Sequence, residues 1–301
     1  MQTILQPTIQ AAASAKMPPV QRTTNDHSIG AILVDSGKLT MDKAEAVLKL
    51  QKEKNMRFGE AALQLGVLTV EDIRFALARQ YHYPYLLKGK SNVSEEVVAA
   101  YQPFSTQVES LRALRSQLML RWFTGETEHK TLAVVSPGRS EGRSYLAANL
   151  AVVFSQLGER TLLIDADMRH PRQHKLFKLE NQSGLSSILS GRGDSSTIQH
   201  VNNLVDLSVL TAGPTPPNPQ ELLGRALYDS LITSMSLDYD VIIIDTPAAA
   251  DYADSQVIAM RSNGALVVTR QNASSLSQTQ QLTEGLQQLG VLMVGAVISH
   301  F

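Results

Sequence analysis

Cysteine is absent from the 301 residues, which excludes disulfides, cysteine-ligated zinc and thiol catalysis. No apolar run approaches the ~18 residues a spanning helix needs, and residues 1–28 lack the apolar core of a signal peptide, so a cytoplasmic protein is expected. Excess charge is lacking too. The 27 Lys and Arg stand against 28 Asp and Glu, so nothing draws the whole chain to nucleic acid or an anionic membrane. Lysine is scarce after residue 104, where only Lys130, Lys175 and Lys178 occur, and tyrosine is missing after Tyr252. What is present is 43% hydrophobic, enough to bury cores in two domains of different task.

Residues 1–27, rich in Ala, Gln, Thr and Pro without periodicity, read as a disordered tail. From Ser28 the chain repeats at a period of 29, pairing Gly30 with Gly59, Gly37 with Gly66, Leu48 with Leu77 and Gln51 with Gln80. Each copy reads as a short helix (29–35, then 58–65), a glycine stop and a Thr-capped helix (40–51, then 69–80). Lys43 and Asp72 at the third helical positions predict single-sided caps at Thr40 and Thr69. The small helical domain is placed at 28–87, a linker at 88–103, and a second domain at 104–301.

In that second domain apolar strands alternate with helices, at 131–135, 161–164, 207–210, 241–244, 265–269 and 294–298, which predicts a parallel sheet covered on both faces. Polar signals stand at three strand ends. The first strand runs into Ser136-Pro137-Gly138-Arg139-Ser140-Glu141-Gly142-Arg143-Ser144 and then a helix, a layout in which loop amides and helix dipole face one anion. The second ends in Asp165-Ala166-Asp167, and the third in Asp245-Thr246-Pro247. Carboxylates there suit a metal or an incoming hydroxyl.

Two resemblances follow from these residues. The doubled Gly-x6-Gly pattern ending in Gln51 and Gln80, with Lys52–Met56 as spacer, resembles the cyclic di-GMP-binding (MshEN-like) domain of type II secretion and pilus ATPases. Ser28 stands where that pattern has an arginine, and Ala44 and Ala62 where it has leucines. The resemblance implies a dinucleotide site at Ile29, Gly30, Arg57 and Gly59. From residue 104 the three strand-end motifs, with Glu109, Arg112 and Arg115 on a preceding helix, resemble the bacterial tyrosine kinases of capsule and exopolysaccharide synthesis. The combination is similar to EpsG-type chain-length-determinant kinases.

That resemblance implies a P-loop ATPase fold, ATP or ADP with Mg2+, and phosphoryl transfer to tyrosine. Gly138, Ser140, Glu141, Gly142, Arg143, Ser144 and Tyr145 would hold the nucleotide. Ser144, Asp165 and Asp245 would hold the metal; Asp165, Asp167 and Arg143 would carry the chemistry. Glu109, Arg112 and Arg115 would pair copies into a homo-oligomer, and a membrane polysaccharide co-polymerase would hold the chain peripherally at the inner membrane. Arg143 replaces the usual loop lysine, Ser140 replaces a glycine, and the family's tyrosine-rich tail is absent. These departures keep open a nucleotide-sensing pseudokinase scaffold. A partitioning-type ATPase is disfavoured by Pro137, which stands where those proteins carry a second lysine.

Overall fold

The computed structural model describes residues 28–81, 83–124, 129–202, 204 and 206–300; the expected tail at 1–27 lies outside the described residues. The chain divides into two compact units, Met1–Gln80 and Tyr81–Phe301.

The first unit holds helices α1 (Ile29–Asp35), α2 (Met41–Lys54), α3 (Phe58–Gln64) and α4 (Val70–Gln80). The repeat interlocks: α1 packs on α4 and α2 on α3, around Leu33, Val47, Ala61, Ala62 and Ala76. Gly30 and Gly59, equivalent in the repeat, lie where helices touch. A Cβ at Gly30 would stand 3.2 Å from the Phe58 ring, and one at Gly59 would stand 3.3 Å from Ile73. The caps differ from expectation. Thr40 makes no side-chain cap bond, whereas Thr69 and Asp72 cap each other reciprocally: Asp72 N–H donates to Thr69 Oγ1, and Thr69 N–H to the Asp72 carboxylate. An aspartate completes the box usually closed by glutamate.

The second unit is a seven-stranded sheet in the order β3-β4-β2-β5-β1-β6-β7. Its elements are α5 (Val98–Tyr101), α6 (Thr106–Arg121), β1 (Thr131–Val135), α7 (Arg143–Ser155), β2 (Thr161–Asp165), α8 (Gln173–Phe177) and α9 (Leu185–Leu189). After these come β3 (Gln199–His200), β4 (Leu207–Leu210), α10 (Pro219–Leu223), α11 (Ala226–Asp238) and β5 (Val241–Asp245), then α12 (Asp254–Ser262), β6 (Gly264–Arg270), α13 (Leu276–Gln288) and β7 (Leu292–Ser299). All pairings are parallel except β3 with β4. Alternation along each strand divides the core between two faces. Leu132 and Val134 of β1 pack with Leu150, Val153 and Phe154 of α7, while Ala133 and Val135 pack with Tyr228 and Leu231 of α11 and Ile258 of α12.

Residues 88–103, expected as a linker, are built into this core. Val93, Val97, Ala99, Ala100 and Tyr101 are buried, and the fully buried Asn149 of α7 binds them: its Oδ1 accepts from Ala99 N–H at 2.9 Å and its Nδ2 donates to Glu96 O. The polar, glycine-containing composition of 88–96 hid the short helix that follows. At the other edge of α6, Trp122 donates to Thr131 O and fills the space that a side chain at Gly264 would need.

Candidate functional site

Strand order places the carboxyl ends of β1, β2 and β5 side by side, with Asp165 directly opposite Asp245 in register. The loop between β1 and α7 crosses above them. Two left-handed residues wind it, Ser140 (φ 57°) and Gly142 (φ 93°), and Gly142 is the N-cap of α7. Left-handed backbone is ordinary for Gly142 and costs a serine about 1–2 kcal/mol. Among the described residues no hydrogen bond inside the chain is found for the N–H groups of Ser140, Gly142, Arg143 and Ser144, and a turn at Arg139–Ser140 brings Glu141 N–H back towards Gly138. With the α7 dipole they form a nest for an anion.

Not every expected nucleotide ligand faces that nest. Gly138 N–H donates to the Glu141 carboxylate at 2.9 Å, and Ser274 Oγ donates to the same carboxylate. Glu141 and Gly138 therefore brace the loop against itself. Tyr145 points away, its hydroxyl accepting from Gln107 at 2.8 Å.

Arg143 does the reverse of an outward-reaching cation. It is 9% exposed and lies against the carboxylates, with Nη2 3.6 Å from Asp167 Oδ2 and Nε 3.6 Å from Asp245 Oδ1, while Nη1 donates to Ser136 Oγ at 2.5 Å. Asp165 is fully buried; Arg172 and Gln173 N–H donate to its Oδ2, both at 2.9 Å. Burial, reinforced by the neighbouring Asp245 charge, pushes the Asp165 carboxyl well above the usual range. Burial raises Asp245 as well, opposed by Arg143 and by hydrogen bonds from Gln173 and Ser144. Asp167 accepts from Arg169 and His170 N–H.

Gln173 was not singled out from sequence. It is completely buried, its Nε2 donates to Asp245 Oδ2 at 2.8 Å and to Ser144 O at 3.0 Å, and its backbone serves Asp165. A lone glutamine after a proline-containing turn carries no local signal of this role.

The donor set fits a nucleotide and a hard cation. Asp245 Oδ1 and Arg143 Nε are buried without hydrogen-bond partners beneath the loop amides, and Ser144, Asp165 and Asp245 carry oxygens of the kind Mg2+ takes.

Glu109, Arg112 and Arg115 lie on α6, with both arginines engaged within the chain. Arg112 pairs with Glu109 at 3.0 Å and donates to Tyr83 Oη at 2.7 Å; Arg115 donates to Val153 O at 2.7 Å. Glu109 is exposed. In the first unit, Ile29 and Gly30 line a cavity of about 540 Å3 together with Ser28, Phe58, Gln51 and Gln80. Arg57 and Gly59 are not among its lining residues.

A mostly parallel, doubly covered sheet with this loop and these acidic strand ends defines a P-loop ATPase-like domain. The chain is 36% identical over 214 residues to the putative tyrosine-protein kinase CapB of Staphylococcus aureus, covering 71% of this chain and 92% of CapB. It is 34% identical over 209 residues to the tyrosine-protein kinase YwqD of Bacillus subtilis (strain 168), covering 69% and 87%. The kinase domain of the Escherichia coli tyrosine kinase ETK superposes with a TM-score of 0.65 at 32% identity, covering 68% of this chain and 79% of that one. No family profile matches. The chain belongs to the bacterial tyrosine-protein kinase family.

Proposed function

We propose that the protein is an ATP-dependent protein-tyrosine kinase and ATPase, of EpsG type, that regulates exopolysaccharide polymerisation and export with a membrane co-polymerase. The observation that carries this reading is Arg143: one loop side chain lies within 3.6 Å of both Asp167 and Asp245, so the phosphate nest and the acidic strand ends share one site. Ser140–Ser144 amides would take phosphate oxygens, and Arg143 would turn to neutralise them. Ser144, Asp165 and Asp245 would hold Mg2+, which when bound screens the charge of the transferring phosphoryl group. Asp167 would orient the acceptor hydroxyl, and Asp165, ionised when Mg2+ is bound, would be the base candidate for its proton.

Among the described residues no helix is long and apolar enough to cross a membrane, so attachment at the cytoplasmic face of the inner membrane would come through the partner. Glu109, with Arg112 and Arg115 behind it, would face a second copy in a homo-oligomer. The helical unit would be the MshEN-like domain, its 540 Å3 cavity taking cyclic di-GMP.

Calorimetric titration with Mg-ATP and Mg-ADP tests the core of this reading. Wild type should bind both, tighter with Mg2+, and Asp165→Asn should lose the Mg2+ enhancement; an unchanged Mg2+ dependence removes Asp165 from the metal site. The inward pairing of Arg143 and the left-handed Ser140 favour a second reading, the nucleotide-sensing pseudokinase. Nucleotide binding without any phosphotyrosine would select it.

A further inference from the structure

Two arginines stand in the phosphate loop, and their settings are opposite. Arg143 is buried and already spans Asp167, Asp245 and Ser136. Arg139, immediately before the left-handed Ser140, is turned outwards with 57% of its side chain exposed, and its Nε donates to Asp251 Oδ2 at 2.6 Å. Asp251 is held in place from both directions along the segment that joins β5 to α12. On one side, Ala249 and Ala250 N–H donate to Ser136 O at 3.0 Å and Pro137 O at 2.9 Å, so this stretch runs beside the start of the loop. On the other, the buried Asp254 accepts from Arg169 Nε at 2.8 Å, and the Tyr252 ring lies 3.8 Å from the same guanidinium. Arg169 N–H donates in turn to the Asp167 carboxylate. The segment thus bridges the phosphate loop and the acidic turn after β2.

We infer that Arg139 recognises the terminal phosphate of ATP and that Asp251 holds its guanidinium beside the loop until the nucleotide is bound, an assignment that rests on the nucleotide site proposed above. The phosphate that is transferred has to lie towards Asp167, where the acceptor hydroxyl is oriented. The segment carrying Asp251 is the one tied through Arg169 to the Asp167 turn, so Arg139 stands on the side of the terminal phosphate. Rotation about its own side-chain bonds is the movement required. Its present bond is easily exchanged: an ion pair this exposed contributes little, whereas a guanidinium on phosphate makes forked, charge-assisted hydrogen bonds. A diphosphate leaves the position empty, and Arg139 then stays with Asp251. The loop thereby tells ATP from ADP with a cation that is not the one buried beneath it.

Titration calorimetry of the full chain with Mg2+ and either ADP or the non-hydrolysable β,γ-methylene analogue of ATP tests the assignment. Arg139→Gln is expected to weaken binding of the triphosphate analogue about tenfold, the loss of one charge-assisted contact, and binding of ADP by less than about twofold. Asp251→Asn, which frees the guanidinium and removes a competing carboxylate, is expected to tighten the analogue by about threefold with ADP unchanged. A preference between analogue and ADP that Arg139→Gln leaves unaltered overturns the assignment and leaves the nucleotide site standing. Asp251→Asn without tightening overturns the holding role of Asp251. A wild-type chain that binds neither nucleotide overturns both the assignment and the site it rests on.

Discussion

Arg143 Nε lies 3.6 Å from Asp245 Oδ1, and among the described residues neither buried atom has a hydrogen-bond partner. The pair compensates charge without forming a bond. A buried carboxylate left without its cation is costly, about 3–5 kcal/mol, so the arginine stabilises the acidic strand ends.

Arg143→Ala is therefore expected to weaken ATP binding about ten- to hundred-fold, the worth of one charge-assisted contact, and to lower the melting temperature of the nucleotide-free protein. Arg143→Lys should restore binding and raise turnover, because a compact ammonium reaches the phosphates without crowding them. Titration calorimetry and steady-state ATP hydrolysis measure both; an alanine variant binding like wild type would remove the loop from nucleotide recognition.

Folding raises the Asp165 carboxyl above the 3.8 of an ordinary aspartate, so the folded chain binds more protons than the unfolded one. That contribution to stability is fully present below the unfolded value and disappears as pH rises through the folded one. Without nucleotide, Asp165→Asn should gain stability relative to wild type as pH climbs from about 4 to 8. Thermal melts across that range read the difference, and a constant gap would contradict it.

Asp72 behaves oppositely. Burial works against its charge, but hydrogen bonds from Lys38 and Thr69 outweigh that and hold the carboxyl at about 2. Its stabilisation is present above the ordinary 3.8 and lost as pH falls through about 2. Asp72→Ala should destabilise the helical unit by about 1–2 kcal/mol at neutral pH, mostly the cap, since Lys38 is partly exposed. Circular dichroism melts should show the gap closing towards pH 2.

Replacing Arg112 and Arg115 with alanine should reduce the assembly mass seen by light scattering. It should also loosen α6 from α7, because Arg115 holds Val153 O. Glu109→Ala touches only the exposed end and separates the two effects: loss of mass with an unchanged melting temperature is expected. A wild-type chain monomeric at every concentration would exclude the homo-oligomer.

Cyclic di-GMP should bind the helical unit at micromolar affinity or weaker, one arginine short at Ser28. Ser28→Arg should tighten binding about ten-fold or more, and Gln51→Ala should weaken it, both read by calorimetry on the full chain. No heat in wild type or in Ser28→Arg would leave the cavity without this ligand.

Apolar runs and glycine stops made most of the framework readable. Thr131–Val135 and Leu207–Leu210 begin and end where expected, because a strand buried on both faces reads as a short, nearly continuous apolar run, interrupted here only by Thr131 and Ser208. Gln199–His200 escaped notice since two residues carry no periodicity and the pairing that makes them a strand is with β4. The acidic strand ends were legible from composition alone. What those side chains hold was not: the inward turn of Arg143 and the bond from Gln173 to Asp245 join residues brought together only by the sheet, and the bracing of Gly138 by Glu141 depends on how the loop winds.

Asn149 sets where the catalytic unit can be cut. A chain trimmed to begin at residue 104 would strip Ala99 and Glu96 from this side chain, stranding a buried amide on the helix that carries the phosphate loop and uncovering the apolar patch beneath Val97 and Tyr101. The smallest piece that folds with its loop in shape should instead start at Tyr81.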